Sequence, residues 1–319
     1  MPATFSITTR TLRATGHIER LLGRLEGVAV KQAQPLLRKR NRVRSVHSSA
    51  AIEGNRLSAA QVTALLDGKR VVGAEREVRE ILNVNDAYER LASWKPSSLT
   101  SLLQAHGVLM RGLAVDAGRL RTSGVGVFRG DTVRHRAPPA QLVHHHVTDL
   151  LRWVARDKTP TLIKGCVAHY ELLFIHPFPD GNGRLSRLWQ QVIHRQHSEL
   201  LQFVPVESLI RARQRAYYER LHRADQAADC TPFIEFTLEA LGQALEEFSR
   251  EVRPEPQTAS TRLDGVAAAF GRRWFTRADY LALHPRLSTA SASRDLARGV
   301  EEGRLEKRGD KRFTEYRAR

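Results

Sequence analysis

What most constrains this chain is a succession of segments whose apolar residues recur at helical spacing. Val72–Trp94, Ala140–Trp153, Thr161–Ile175, Leu185–His194, Ser208–Arg223 and Pro232–Phe248 all carry the pattern, and each predicts a helix with a buried face. Helix starts are expected at Thr159-Pro160 and at Ser208. One stretch departs from the pattern: Val125–Phe128 and Thr132–Arg136 alternate around a Gly-Asp pair and run into Pro138-Pro139, which predicts a β-hairpin. At 319 residues the chain has room for two domains. Between Glu251 and Arg262 the sequence EVRPEPQTASTR holds two prolines and few large apolar side chains, the composition of a linker.

Charge is unevenly spread. Lys and Arg number 51 against 34 Asp and Glu, a net +17, which points to a polyanionic partner such as nucleic acid or nucleotide phosphate. Residues 1–45 hold 10 basic and 2 acidic side chains, 46–259 hold 27 and 24, and 260–319 hold 14 and 8. The excess thus lies at the ends and not in the helical body; an arginine-biased composition is the competing explanation. Cys166 and Cys230 are far apart, so neither a disulfide framework nor a cysteine zinc site is expected. The first residues lack the apolar core of a signal peptide, and no apolar run reaches the length of a membrane span. The expectation is a soluble, cytoplasmic protein with no membrane contact.

The chemistry is concentrated in His176-Pro177-Phe178-Pro179-Asp180-Gly181-Asn182-Gly183-Arg184-Leu185-Ser186-Arg187, between two apolar helical segments. A glycine-rich loop feeding a helix N-terminus attracts anions, because free main-chain N–H groups and the positive end of the helix dipole meet there. Gly181 and Gly183 permit the required torsions, Asn182 adds a neutral donor, and Arg184 and Arg187 share a helical face within reach of phosphate oxygens. Asp180 is a hard oxygen ligand of the type that holds Mg²⁺ between phosphates. His176 is a side chain of the type that takes a proton near neutrality. Phe178 is expected to pack into the core.

This segment resembles, at every fixed position, the signature of Fic domains, H-P-F-x-[D/E]-G-N-G-R-x-x-R. The resemblance covers roughly Arg44–Leu241. It implies a mainly α fold, with a Fic-type helical bundle and a β-hairpin flap over 96–251; an N-terminal helical region over 1–95 and, beyond a linker over 252–261, a separate domain over 262–319 complete the expected organisation. It further implies transfer of AMP from ATP to a Ser, Thr or Tyr hydroxyl of a target protein, with release of pyrophosphate. On that basis His176 is the catalytic base and Asp180 the Mg²⁺ ligand. Gly181, Asn182, Gly183 and Arg184 bind the α- and β-phosphates, and Arg187 takes the γ-phosphate. The related Doc-type proteins, which phosphorylate, alter the acidic position and the last arginine. Both are present here, so nucleotidyl transfer is expected. The hairpin stands where the family keeps a flap that aligns its target by main-chain pairing, which makes Val125, Val127 and Val133 the docking residues; an ordinary surface hairpin is the alternative. Tyr217, on a downstream segment that also resembles the family, either lines the base pocket or packs in the core.

Upstream, Ser48-Ser49-Ala50-Ala51-Ile52-Glu53-Gly54-Asn55 resembles the inhibitory-helix motif of Fic proteins, [S/T]-x-x-x-E-[G/N], with Ser49, Glu53 and Gly54 at its named positions. A carboxylate there implies an ion pair with Arg187 that denies the arginine to the γ-phosphate. The alternative is a solvated helix-end carboxylate with Gly54 as the cap. The same glutamate positions water for AMP removal in some members, so a de-AMPylating enzyme stays open.

Residues 262–319 read as helix (Leu263–Arg273), a second helix capped by Thr276, and a third capped by Ser288 and ended by Gly303. Leu305–Arg308 and Arg312–Tyr316 follow as a hairpin. The set resembles the winged helix-turn-helix of bacterial regulators, with Thr289, Ser291 and Arg294 toward a major groove and Lys307, Arg308, Lys311 and Arg312 near phosphates. DNA and a docked protein are both expected partners of such a module. The rival to the enzyme reading is a DNA-binding regulator whose Fic domain modifies itself or senses nucleotide. A homodimer is left open by the sequence. His144-His145-His146 reads as a surface cluster, Cys166 as core, and Arg38-Lys39-Arg40 as a solvated basic face.

Overall fold

The segment TLIKGCVAHYELLFI has apolar or small side chains on every face, and a helix of that kind must be enclosed by others. The computed structural model describes residues 3–26, 35–124, 126–129, 132–252, 258–285 and 287–319, in two units, Met1–Arg253 and Pro254–Arg319. The first unit runs α1 (Thr9–Glu26), α2 (Pro35–Ile52), α3 (Ala59–Leu66), α4 (Glu75–Glu89), α5 (Leu99–Leu109), β1 (Gly126–Arg129), β2 (Thr132–Arg136), α6 (Ala140–Arg156), α7 (Thr161–Ile175), α8 (Asn182–His194), α9 (Val206–Ala212), α10 (Gln214–Ala227) and α11 (Thr231–Glu251).

Helix α7 is the partition of this unit. Cys166, Val167 and Tyr170 face one core with Ile18 and Leu22 of α1 and Phe233 and Leu241 of α11. Ala168, Leu172 and Ile175 face the other, with Val46 of α2, Val84 of α4, Leu102 of α5 and Leu185 and Trp189 of α8. It packs tightly on α8 at Gly165, where an added Cβ would stand 2.3 Å from the His194 ring. The hairpin β1–β2 is antiparallel, with Gly126 opposite Arg136 and an irregularity between Val127 and Phe128. No helix among the described residues is long and apolar enough to cross a membrane.

Several expected boundaries move. The helix expected from Val72 begins at Glu75, and that expected from Leu185 begins at Asn182, capped by Gly181 in the left-handed region. The expected Ser208–Arg223 helix is two: α9 starts at Val206, after Pro205, and Arg213 (φ −118°, ψ 32°) separates it from α10. Ser208 is therefore inside a helix and not its start.

The second unit runs α12 (Ala259–Phe270), β3 (Phe275–Thr276), α13 (Arg277–Leu283), α14 (Thr289–Glu301), β4 (Leu305–Arg308) and β5 (Glu315–Ala318). Thr276 and Ser288 cap their helices as expected, Thr276 in a reciprocal capping box with Asp279. Here too the ends shift, since α12, capped by Thr258, starts at Ala259, four residues ahead of the expected Leu263. The last strand is Glu315–Ala318, with a 3₁₀ turn over Lys311–Phe313 in place of the expected Arg312–Tyr316. Strand β3 was not expected; it makes the sheet three-stranded, in the order β3-β5-β4. The core is Leu263, Val266, Phe275, Tyr280, Ala292, Leu296 and Leu305. Asp295 inside it is held by Arg262 Nε at 2.6 Å and Nη2 at 3.0 Å.

Gly165→Ala is expected to destabilise the first unit by about 1–3 kcal/mol, since the methyl meets a ring with no room to retreat. Gly16→Ala in α1, where a Cβ meets nothing within 4 Å, is the control and is expected to be neutral or mildly stabilising. Urea unfolding of both variants checks the contrast.

Candidate active site

Helix α7 ends at His176, which adopts φ 48°, ψ 59°, a left-handed conformation that a non-glycine residue keeps only where its surroundings enforce it. Three anchors do so. The buried Arg121 donates from Nε to the His176 carbonyl at 2.7 Å and from Nη2 to the Ile175 carbonyl at 3.2 Å. Asn182 clasps Phe178, its Oδ1 accepting from the Phe178 N–H at 3.0 Å and its Nδ2 donating to the Phe178 carbonyl at 2.7 Å. His106, stacked on Phe178 with ring centroids 3.6 Å apart, accepts from Gly118 N at Nδ1, which fixes the proton on Nε2 to donate to the Asp180 carbonyl, both at 2.9 Å. Burial lowers its pKa to about 4, so it stays neutral. Gly181 then turns the chain at φ 82°, where a Cβ would also stand 2.6 Å from Met110 Sδ.

The loop delivers the N-terminus of α8, whose first N–H groups, on Asn182, Gly183 and Arg184, have no carbonyl four residues back to bond. The Glu53 carboxylate lies there. A Cβ on Gly183 would be 2.3 Å from Glu53 Oε1, so glycine is what admits the carboxylate. Glu53 follows the last residue of α2, and Gly54 turns the chain at φ 99°. Arg187, with only 1% of its side chain exposed, donates from Nη2 to Glu53 Oε1 at 2.8 Å and to the Ser49 carbonyl at 2.9 Å, and from Nε to Ser49 Oγ at 3.2 Å. Burial is the largest single influence and opposes its charge, but Glu53 together with Tyr217 and Tyr88 outweighs it and raises the pKa above the ordinary arginine value. Arg184 pairs with Glu80 Oε1 at 2.5 Å and Asp180 Oδ1 at 3.1 Å. Asn55 Nδ2 bonds the other oxygen of Glu80 at 2.8 Å.

The structure brings Asp180 against Gly181 and Arg184, and Ser49 and Glu53 against Arg187 and Gly183, with Gly54 turning the chain after Glu53 and His176 at the start of the same loop. Two expectations need correcting. The Asn182 side chain is spent on Phe178 and offers an anion only its main-chain N–H. Tyr217 lines no base pocket: it is 1% exposed in the core, against Phe233 and Phe236, with its hydroxyl 3.0 Å from His169 Nε2. Val127 and Val133 lie in the paired strands, and Val125 lies outside the described residues. The sequence reading missed Arg121, His106, Glu80 and Asn55.

The half-exposed Asp180 carboxylate has Oδ1 bonded to Gly181 N at 2.6 Å and Arg184, and Oδ2 3.7 Å from Arg76. No group of three or more His, Cys, Asp or Glu among the described residues could hold a metal. One carboxylate beside free main-chain donors fits a cation that arrives with a nucleotide's phosphates and not a resident ion.

Residues 96–194 match the Fic/DOC family. The crystal structure of a Fic family protein from Desulfovibrio desulfuricans G20 is 38% identical and superimposes with a TM-score of 0.76, covering 100% of this chain and 98% of that one. The chain belongs to the Fic family. Fic-1 of Caenorhabditis elegans, residues 134–508, aligns with a TM-score of 0.58 at 25% identity over 76% of this chain and 75% of that one. Among curated relatives, protein adenylyltransferase fic-1 of C. elegans is 32% identical over 60% of this chain and 38% of its own length. Protein adenylyltransferase Fic of Nematostella vectensis is 29% identical over 64% and 48%. The chain thus spans less than half the length of these curated Fic relatives.

Beneath Arg187, His169 is fully buried and its pKa is lowered to about 3 by burial. The unfolded chain takes up this proton near pH 6.5 and the folded chain does not, so His169 costs stability as pH falls from about 6.5 toward 3. His169→Gln is expected to flatten the acid slope of unfolding free energy over that window by about 1.4 kcal/mol per pH unit. Urea titrations from pH 4.5 to 7 check it.

Proposed function

We propose that this Fic protein is a protein adenylyltransferase held at rest by its own N-terminal helix. The observation that carries this reading is the Glu53 carboxylate, bonded to Arg187 and packed on Gly183 where α8 presents its free N–H groups. A triphosphate is drawn to the same place and competes with Glu53 for it. The names of the curated Fic relatives support the same chemistry.

In the active arrangement Arg187 turns from Glu53 to the terminal phosphate, and the main-chain N–H groups at the start of α8 face the phosphates that gain charge. ATP is the substrate. The target's Ser, Thr or Tyr oxygen forms a bond to the α-phosphorus, the bond from that phosphorus to the bridging oxygen breaks, and pyrophosphate leaves. The hydroxyl proton passes to His176. Its Nδ1 is 3.4 Å from the Leu173 carbonyl; a carbonyl only accepts, so that contact favours the tautomer with the proton on Nδ1, in which Nε2 is the basic nitrogen. Asp180 would hold Mg²⁺, which neutralises charge on the phosphates. The hairpin β1–β2 is the flap, pairing the target's main chain as an added strand.

For the second unit we propose a winged helix-turn-helix that binds duplex DNA. The exposed face of α14 carries Thr289, Ala290, Arg294, Ala297 and Arg298, and Lys307, Arg308 and Lys311 are exposed around the β4–β5 connection. Small side chains let that helix approach a groove while the cations meet phosphates. Arg312, also expected there, has a side chain outside the described set.

With ATP labelled at the α-phosphorus, Glu53→Gly is expected to label itself or lysate proteins at least about tenfold faster than wild type, by release of a charge-assisted pair. His176→Ala in that background is expected to abolish the label. Equal labelling of wild type and Glu53→Gly removes the switch, and label carried only from the γ-phosphorus makes the chain a phosphotransferase. DNA binding by the full chain is expected to weaken steeply with salt; no retardation of duplex DNA at low salt counts against that role.

A further inference from the structure

Arg121 stands just before the hairpin and is 4% exposed. Among the described residues its guanidinium meets carbonyls and no carboxylate, and burial lowers its pKa. Its bonds divide between two places. Nη1 donates to the Ser123 carbonyl at 2.9 Å and Nη2 to the Pro138 carbonyl at 2.6 Å, one on each side of the hairpin. Nε and Nη2 donate to His176 and Ile175 at the end of α7, and its own N–H bonds the Pro177 carbonyl at 2.9 Å.

We infer that Arg121 is a positioning residue that ties the hairpin and His176 into one rigid frame, so that a hydroxyl carried on the flap meets the imidazole. This rests on the reading of His176 as the base and of β1–β2 as the flap. Two physical features support it. A cation among the last carbonyls of a helix is favoured by the helix dipole and satisfies acceptors that have no partner within the helix. A planar fork of donors spread over three nitrogens also reaches carbonyls farther apart, and in a more fixed geometry, than the compact ammonium of lysine. The left-handed torsion of His176, worth about 1–3 kcal/mol of strain, persists only where such contacts over-determine it.

Hydrogen exchange on the full chain reads this frame without turnover. In Arg121→Lys, amides of 126–136 and of 174–180 are expected to exchange at least about tenfold faster, both together, while α11 stays as in wild type. Faster exchange on one side only, or on neither, overturns the inference. Should Arg121→Lys fail to fold, a chain with 126–136 replaced by Gly-Ser-Gly decides: exchange at 174–180 quickens if the two places share a frame and is unchanged if they do not. In the Glu53→Gly background, Arg121→Lys is expected to lower the maximal labelling rate at least about tenfold with the half-saturating ATP concentration within about threefold, as misplacement of a reacting group does. A raised half-saturating concentration at unchanged maximal rate contradicts it. If Glu53→Gly alone labels nothing, the adenylyltransferase reading fails, while the exchange result still decides whether the frame exists.

Discussion

A guanidinium almost wholly removed from water must be given acceptors, because an unpaired buried charge costs several kcal/mol. Arg187 is that group, and its acceptors Ser49 and Glu53 both come from α2 and the turn that ends it. The position of α2 against α8 is thereby coupled to the charge state of one site. Glu53, with 27% of its side chain exposed, is the partner nearer to solvent and to the loop. In the proposed switch, exchange of Glu53 for a phosphate would keep Arg187 paired, at less cost than opening the pair to water.

Such an exchange needs a site shaped in advance. Helix α7 stops at a left-handed His176, the loop turns again at Gly181, and α8 starts at once, so an imidazole and the first N–H groups of α8 stand at the two ends of a short loop. Arg121, Asn182 and neutral His106 hold that loop through its main chain and not through its reactive side chains. Main-chain anchoring of this kind fixes where the loop's side chains stand, as the proposed chemistry requires of a preorganised site.

The motif was legible because its parts are neighbours in sequence: two glycines around an asparagine, a histidine at a helix end and arginines three apart; of the glycines, Gly181 takes the left-handed torsion expected, while Gly183 is helical and matters for its missing side chain. Glu53 could be paired with Arg187 only through the family resemblance. The supporting residues were not legible. Glu80 lies 104 positions from Arg184, His106 74 from Asp180 and Arg121 55 from His176, and an arginine, glutamate or histidine on a helix or loop carries no local mark of a distant partner. The same applies to β3, two residues long and paired only through β5. Some helix ends shifted where caps were atypical, as at Gly181 before α8, whereas α12 shifted behind an ordinary cap, Thr258. Tyr217 was open between pocket and core on sequence alone, and its burial against Phe233 and Phe236 decides for the core.

The central claim is that Glu53 acts on the reaction through Arg187. A double-mutant cycle on initial labelling rates tests it most directly, with Glu53→Gln compared in the presence of Arg187 and in an Arg187→Ala background. The account predicts a rate increase from Glu53→Gln that disappears once Arg187 is gone. The same increase in both backgrounds would contradict it.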